Sequence, residues 1–181
     1  MKLFEIDLYK FHSNPEILHG YDRVDEIVPE RIFDIAKSGK KLTDKQEDVI
    51  AKDLEYAYYY ACDILKKPFP KGEAVLAKDT EYAYKYARYV LKNPWPKGED
   101  AIAKDYEYAY HYALNVLKKS FPKGEDVIAK DPEYAYWYAI NVLKKPWPKG
   151  EDAIAKDSYF AYEYAHNILK LQEAEAERWP K

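Results

Sequence analysis

The sequence predicts an all-α fold, an α-solenoid of five 26-residue helix-turn-helix repeats behind an N-terminal cap. A segment of constant length recurs without insertion or deletion, each copy carries the start and stop signals of two helices, and the longer helix is too broadly apolar to stand alone. Residues 47–72 read EDVIAKDLEYAYYYACDILKKPFPKG and residues 73–98 read EAVLAKDTEYAYKYARYVLKNPWPKG. The pattern returns at Glu99, Glu125 and Glu151, each start 26 residues after the last. Such a period marks stacked repeats, because one short unit cannot bury its own apolar face.

We number the copies unit one to unit five. A worn copy precedes them: Pro29-Glu30-Arg31-Ile32-Phe33-Asp34-Ile35-Ala36-Lys37 matches Pro132–Ile140 in outline, with the gap to the next unit one residue short. The expected organisation is a cap with a degenerate repeat over residues 1–46, the five units over 47–170, and a C-terminal helical extension over 171–181. Within the first 28 residues, the roughly alternating Phe4, Ile6, Leu8, Tyr9 and Phe11 fit a short strand or an irregular cap, and residues 21–27 a short helix.

Each unit reads as a short helix, about residues 125–130 in unit four, then a longer one of about 13 residues. Asp53, Asp79, Asp105, Asp131 and Asp157 stand between the two. Aspartate is a strong N-cap, and the glutamate two places on in the first four units favours the helix N-terminus. Pro132 occupies the first helical position, where proline is best tolerated. At the far end, Pro146 and Pro148 around Trp147 are expected to stop the helix and Gly150 to turn the chain. On a helical wheel Tyr134, Ala135, Tyr136, Tyr138, Ala139, Val142 and Leu143 cover roughly 200°, against the ~100° stripe of a surface helix. The helix is therefore expected to be buried on two sides. Beyond the last unit, Lys170 to Glu177 is polar and helix-favouring, and is expected to lengthen the final helix.

The pattern D-x-E-Y-A-Y-x-Y-A with W/F-P-K-G-E resembles the tandem Tyr/Ala-rich helical repeats of tailed phages and giant DNA viruses, a family without assigned chemistry. The likeness covers about residues 29–170. It implies an α-helical solenoid of phage or viral origin, working in the host cytoplasm, and it brings no catalytic residues.

Positions identical in every unit are explained by stacking, so function is sought where the units differ. Two variable columns fall on the outward arc: Tyr59, Lys85, His111, Trp137 and Glu163, then Cys62, Arg88, Leu114, Ile140 and His166. The candidate partner-binding residues are His111, Leu114, Trp137 and Ile140, with Tyr59, Lys85 and Arg88 further along the same columns. An outward Trp beside Leu and Ile has the composition of an interface anchor. The bland alternative is that a terminal domain, the solenoid's own curvature or a second copy covers this patch.

Composition narrows the chemistry. The 181 residues carry 29 Lys and Arg against 32 Asp and Glu, a formal charge of −3. Lysines recur in every unit, but acids recur beside them, and counterion release needs unbalanced positive charge, so nucleic acid is disfavoured. One cysteine, Cys62, leaves no internal disulfide or Cys-based zinc site. The four histidines have no metal spacing, and no nucleophile elbow or phosphate-cradling loop is present, so no metal, cofactor or enzymatic activity is expected. The opening Met1-Lys2-Leu3-Phe4-Glu5-Ile6-Asp7 lacks the apolar run of a signal peptide, and no membrane span is expected. The expected role is a cytoplasmic, non-enzymatic protein that binds and interferes with a host bacterial protein, such as a defence or regulatory factor, with oligomerisation left open. The alternative is a small-ligand protein that sequesters a nucleotide with its Tyr, Trp and Lys side chains.

Overall fold

The computed structural model describes residues 28–180, and every regular element among them is helical. The strand or cap and the short helix expected before residue 28 lie outside the described residues.

The short first helices are Asp44–Ile50, Glu73–Leu76, Glu99–Ile102, Glu125–Ile128 and Pro148–Ile154. Each drives one large aliphatic side chain into the interior: Ile50, Leu76, Ile102, Ile128 and Ile154 are all fully buried. A two-residue turn follows, and the expected aspartates cap the second helices. The Asp53, Asp79, Asp105, Asp131 and Asp157 carboxylates each accept from the backbone N–H three residues on, at 2.9–3.1 Å.

The second helices are Leu54–Tyr59, Thr80–Lys85, Tyr106–Tyr112, Pro132–Trp137 and Ser158–Asn167. In the first four units they widen into π-helical segments, Tyr60–Leu65, Tyr86–Leu91, Ala113–Leu117 and Tyr138–Leu143. Their end differs from the expectation. The chain is turned by a lysine in the left-handed region, Lys66, Lys92, Lys118, Lys144 and Lys170 with φ of 51–60°, and not by the proline–glycine segment. The N–H of each of the first four lysines reaches back five residues to an alanine carbonyl, as at Lys66 to Ala61.

The unit glycines have another task. Their φ is negative, but a Cβ on Gly124 would stand 2.6 Å from Phe121 Cδ1 and 2.7 Å from Ala109 Cβ, and Gly72 faces Phe69 and Ala57 in the same way. Glycine opposite alanine lets the next first helix approach the second helix more closely than any side chain would allow.

Packing joins neighbours in sequence order. Each second helix lies against the first helix of the following unit and beside the next second helix. The helix Pro29–Lys37 packs on unit one in the same manner. Its Ile32 and Ala36 are buried where the units bury two alanines. At the other end the final helix is not lengthened. It stops at Asn167, Lys170 turns the chain, and a separate short helix, Glu173–Ala176, folds back with Ala176 buried. Trp179 then meets Tyr164 at 5.3 Å, in the place taken elsewhere by the unit's own Phe or Trp.

Candidate functional site

Three aromatic positions of each second helix, all tyrosine except Phe160, serve different ends, and this separates frame from surface. The last of the three, Tyr60, Tyr86, Tyr112, Tyr138 or Tyr164, is buried. Its ring meets the Phe or Trp of its own unit's loop at 4.9–5.1 Å in units one to four. From Tyr86 onward its hydroxyl also binds the loop of the preceding unit. The N–H groups of Phe69, Trp95, Phe121 and Trp147 donate to Tyr86, Tyr112, Tyr138 and Tyr164 at 2.7–2.8 Å. The same hydroxyls donate to Glu73, Glu99, Glu125 and Glu151 at 2.8–3.4 Å. Burial, with the carboxylate alongside, pushes the phenols of Tyr60, Tyr86 and Tyr112 up to about 12.

The other two positions form a ladder along the seam between units. The middle one meets the first aromatic of the next unit: Tyr58–Tyr82, Tyr84–Tyr108, Tyr110–Tyr134 and Tyr136–Phe160 at 5.5–5.7 Å. Phe33 of the N-terminal helix supplies the first rung, 5.5 Å from Tyr56. An asparagine of the next unit closes three of these seams, with Asn115, Asn141 and Asn167 donating to the Tyr84, Tyr110 and Tyr136 hydroxyls at 3.0–3.4 Å.

The candidate residues sit above this ladder. Trp137 is 38% exposed, lies on Tyr136 at 5.1 Å and donates its indole N–H to Glu133 at 3.4 Å. His111 is half-buried among Tyr84, Tyr110 and Tyr134, which brings it into contact with units two and four. Burial lowers its imidazole pKa, with Glu107 opposing. Leu114 and Ile140 are half-buried and pack against the core. Tyr59 lies at the N-terminal end against Phe33 and Tyr58. Lys85 is paired with Glu81 and stands over Tyr82. Arg88 donates to the Tyr84 hydroxyl and stands over the rings of Tyr84 and Tyr89. Trp137 thus presents its ring to solvent, whereas Lys85 and Arg88 have partners within the chain.

Exposed aromatics lie outside the two chosen columns as well. Tyr106, Tyr159 and Tyr89 are 41%, 63% and 49% exposed. Each breaks its own column: Tyr106 stands where other units have Leu, Thr, Pro or Ser, Tyr159 where they have Glu, and Tyr89 where they have Asp or Asn. That departure was the signal available in the sequence. Tyr106 meets Tyr134 at 5.0 Å, and Tyr159 adjoins Phe160, so with Trp137 they give units three to five an aromatic surface. Among the described residues no group of three or more His, Cys, Asp or Glu is placed to hold a metal ion, and no helix is long and apolar enough to cross a membrane.

No family model, curated protein or solved structure matches this chain.

Proposed function

We propose that this chain is a non-enzymatic binding protein in which five helix pairs stack as an α-solenoid and the outward aromatic surface of units three to five docks a protein partner. The observation that supports this most is the exposure of Trp137 in a fold that buries its other described unit tryptophans, Trp95 and Trp147. Large aromatic rings held on rigid helices bring contact area at small entropic cost and dominate many interfaces. Exposed Glu107 and Glu133 accompany them, which suits a partner presenting basic side chains around an apolar anchor. The viral resemblance of the sequence would make that partner a host regulatory or defence protein.

The test is affinity capture from bacterial lysate with the wild type beside a Trp137→Ala/Tyr159→Ala variant. Leu114 and Ile140 are left intact because they pack on the core. The variant should keep its helicity and its cooperative unfolding, since neither side chain belongs to the buried core. It should lose a stoichiometric protein that the wild type retains. Equal capture by both, or collapse of the variant's fold, would overturn the reading.

A further inference from the structure

The seam between units one and two departs from the others. Where units three, four and five place an asparagine that closes the preceding seam, unit two has Tyr89. Tyr58 therefore has no asparagine partner of the kind that Tyr84, Tyr110 and Tyr136 have. The Tyr89 side chain stands outward, half exposed, with the Arg88 guanidinium 5.3 Å from the ring centroid. Beside it opens a groove of about 310 Å³ lined by Ala61, Cys62, Lys66, Tyr89, Val90 and Lys92.

The charge of this groove is largely of one sign. Lys66 and Lys92 are exposed and have no ion-pair partner among the described residues. Both are the left-handed lysines that end their helices, with φ of 51° and 54°. Glycine or asparagine would sit in that conformation at lower cost, yet all five units keep lysine there, while the next position varies as Lys67, Asn93, Lys119, Lys145 and Leu171. The lysines are thus common to all five units, and Tyr89 is what distinguishes this seam. Unit two as a whole carries Lys78, Lys85, Arg88, Lys92 and Lys97 against Glu73, Asp79 and Glu81. The acid next to Cys62 in the chain is the exposed Asp63.

We infer that the groove between units one and two binds a phosphorylated small molecule carrying a planar ring, of nucleoside-monophosphate size. Tyr89, backed by Arg88, is the stacking surface, and Lys66 and Lys92 hold the phosphate. The groove volume lies at the lower end of ligand sites, which favours a mononucleotide over a larger cofactor. The site is separate from the aromatic surface on units three to five and does not depend on it.

The probes are AMP, GMP, CMP and UMP, with adenosine and inorganic phosphate as controls, read by calorimetry and thermal shift on the full chain. At least one monophosphate should bind and raise Tm, more weakly mimicked by the nucleoside or phosphate alone. Lys66→Gln with Lys92→Gln should weaken it at least about tenfold, the loss of a charge-assisted contact. Asp63→Asn should tighten it. Tyr89→Asn separates site from frame: restoring the asparagine should raise the unliganded Tm by roughly 2–4 °C while reducing monophosphate affinity to that of phosphate. Absence of binding by all four monophosphates at millimolar concentration overturns the inference. So does full affinity in the lysine double variant or in Tyr89→Asn.

Discussion

The buried clamp tyrosines and the seam tyrosines two residues before them are the same residue type on the same helix, yet they do opposite work. Tyr86, Tyr112, Tyr138 and Tyr164 use ring and hydroxyl on one fixed task, holding the loop of the preceding unit. Tyr58, Tyr84, Tyr110 and Tyr136 use their rings on a constant ladder, but their hydroxyl partners vary along the chain. Arg88 and Asn115 donate to Tyr84, Asn141 to Tyr110 and Asn167 to Tyr136. A buried ring of roughly 150–250 Å² brings about 4–6 kcal/mol of gross apolar burial, whereas a hydrogen bond nets about 1 kcal/mol. Both columns therefore stabilise chiefly through their rings. They differ in what an unmade hydrogen bond leaves behind: an orphaned buried N–H in the first column, and an amide near solvent in the second.

The largest expected effect engages the whole clamp column at once. Above pH 10 an unfolded chain ionises its tyrosines, while Tyr60, Tyr86 and Tyr112, pushed up to about 12 by burial and adjacent glutamates, keep their protons in the folded state. A raised folded pKa means that the unfolded state binds fewer protons over this interval. Stability is thus fully present below pH 10 and lost as pH rises from 10 toward 12. Alkaline titration followed by tyrosinate absorbance and circular dichroism should show buried tyrosines ionising only together with loss of helix. Smooth ionisation of every tyrosine with helix retained would break the comparison.

A single hydroxyl gives the next effect. Tyr112→Phe leaves the ring but strands the Trp95 N–H and frees Glu99, and should cost about 1–3 kcal/mol, the penalty of an unsatisfied buried donor. Tyr110→Phe removes the same atom one column away and leaves only the Asn141 amide near solvent, so it should cost less than about 1 kcal/mol. Denaturant melts of the two variants sharpen the contrast, and equal costs would erase it.

Much of this frame was legible in the sequence, because repetition writes stacking constraints directly into the residues. The aspartate caps, the two helices per period and the two-sided burial around Ala135, Tyr136, Tyr138 and Ala139 follow from spacing alone. The helix ends did not. Left-handed lysine has no composition signature, so Pro146, Pro148 and Gly150 drew the stop signal that Lys144 carries, and the role of glycine opposite Ala135 depends on an interhelical distance no local pattern encodes. The π-widening shifts a hydrogen bond by one residue and leaves the apolar pattern unchanged. At the surface, the column of Trp137 was visible as a variable position. Its companions Tyr106 and Tyr159, and the open seam at Tyr89, were visible only as single departures within otherwise regular columns.

The buried tyrosine hydroxyls lock each of these loops to the following unit. Amide hydrogen exchange at Phe69, Trp95, Phe121 and Trp147 tests it most directly, since these four N–H groups lie in proline-flanked loops where fast exchange is the rule. They are expected to exchange as slowly as the buried second helices, through global opening. Exchange at loop-like rates, with the helices still protected, would contradict it.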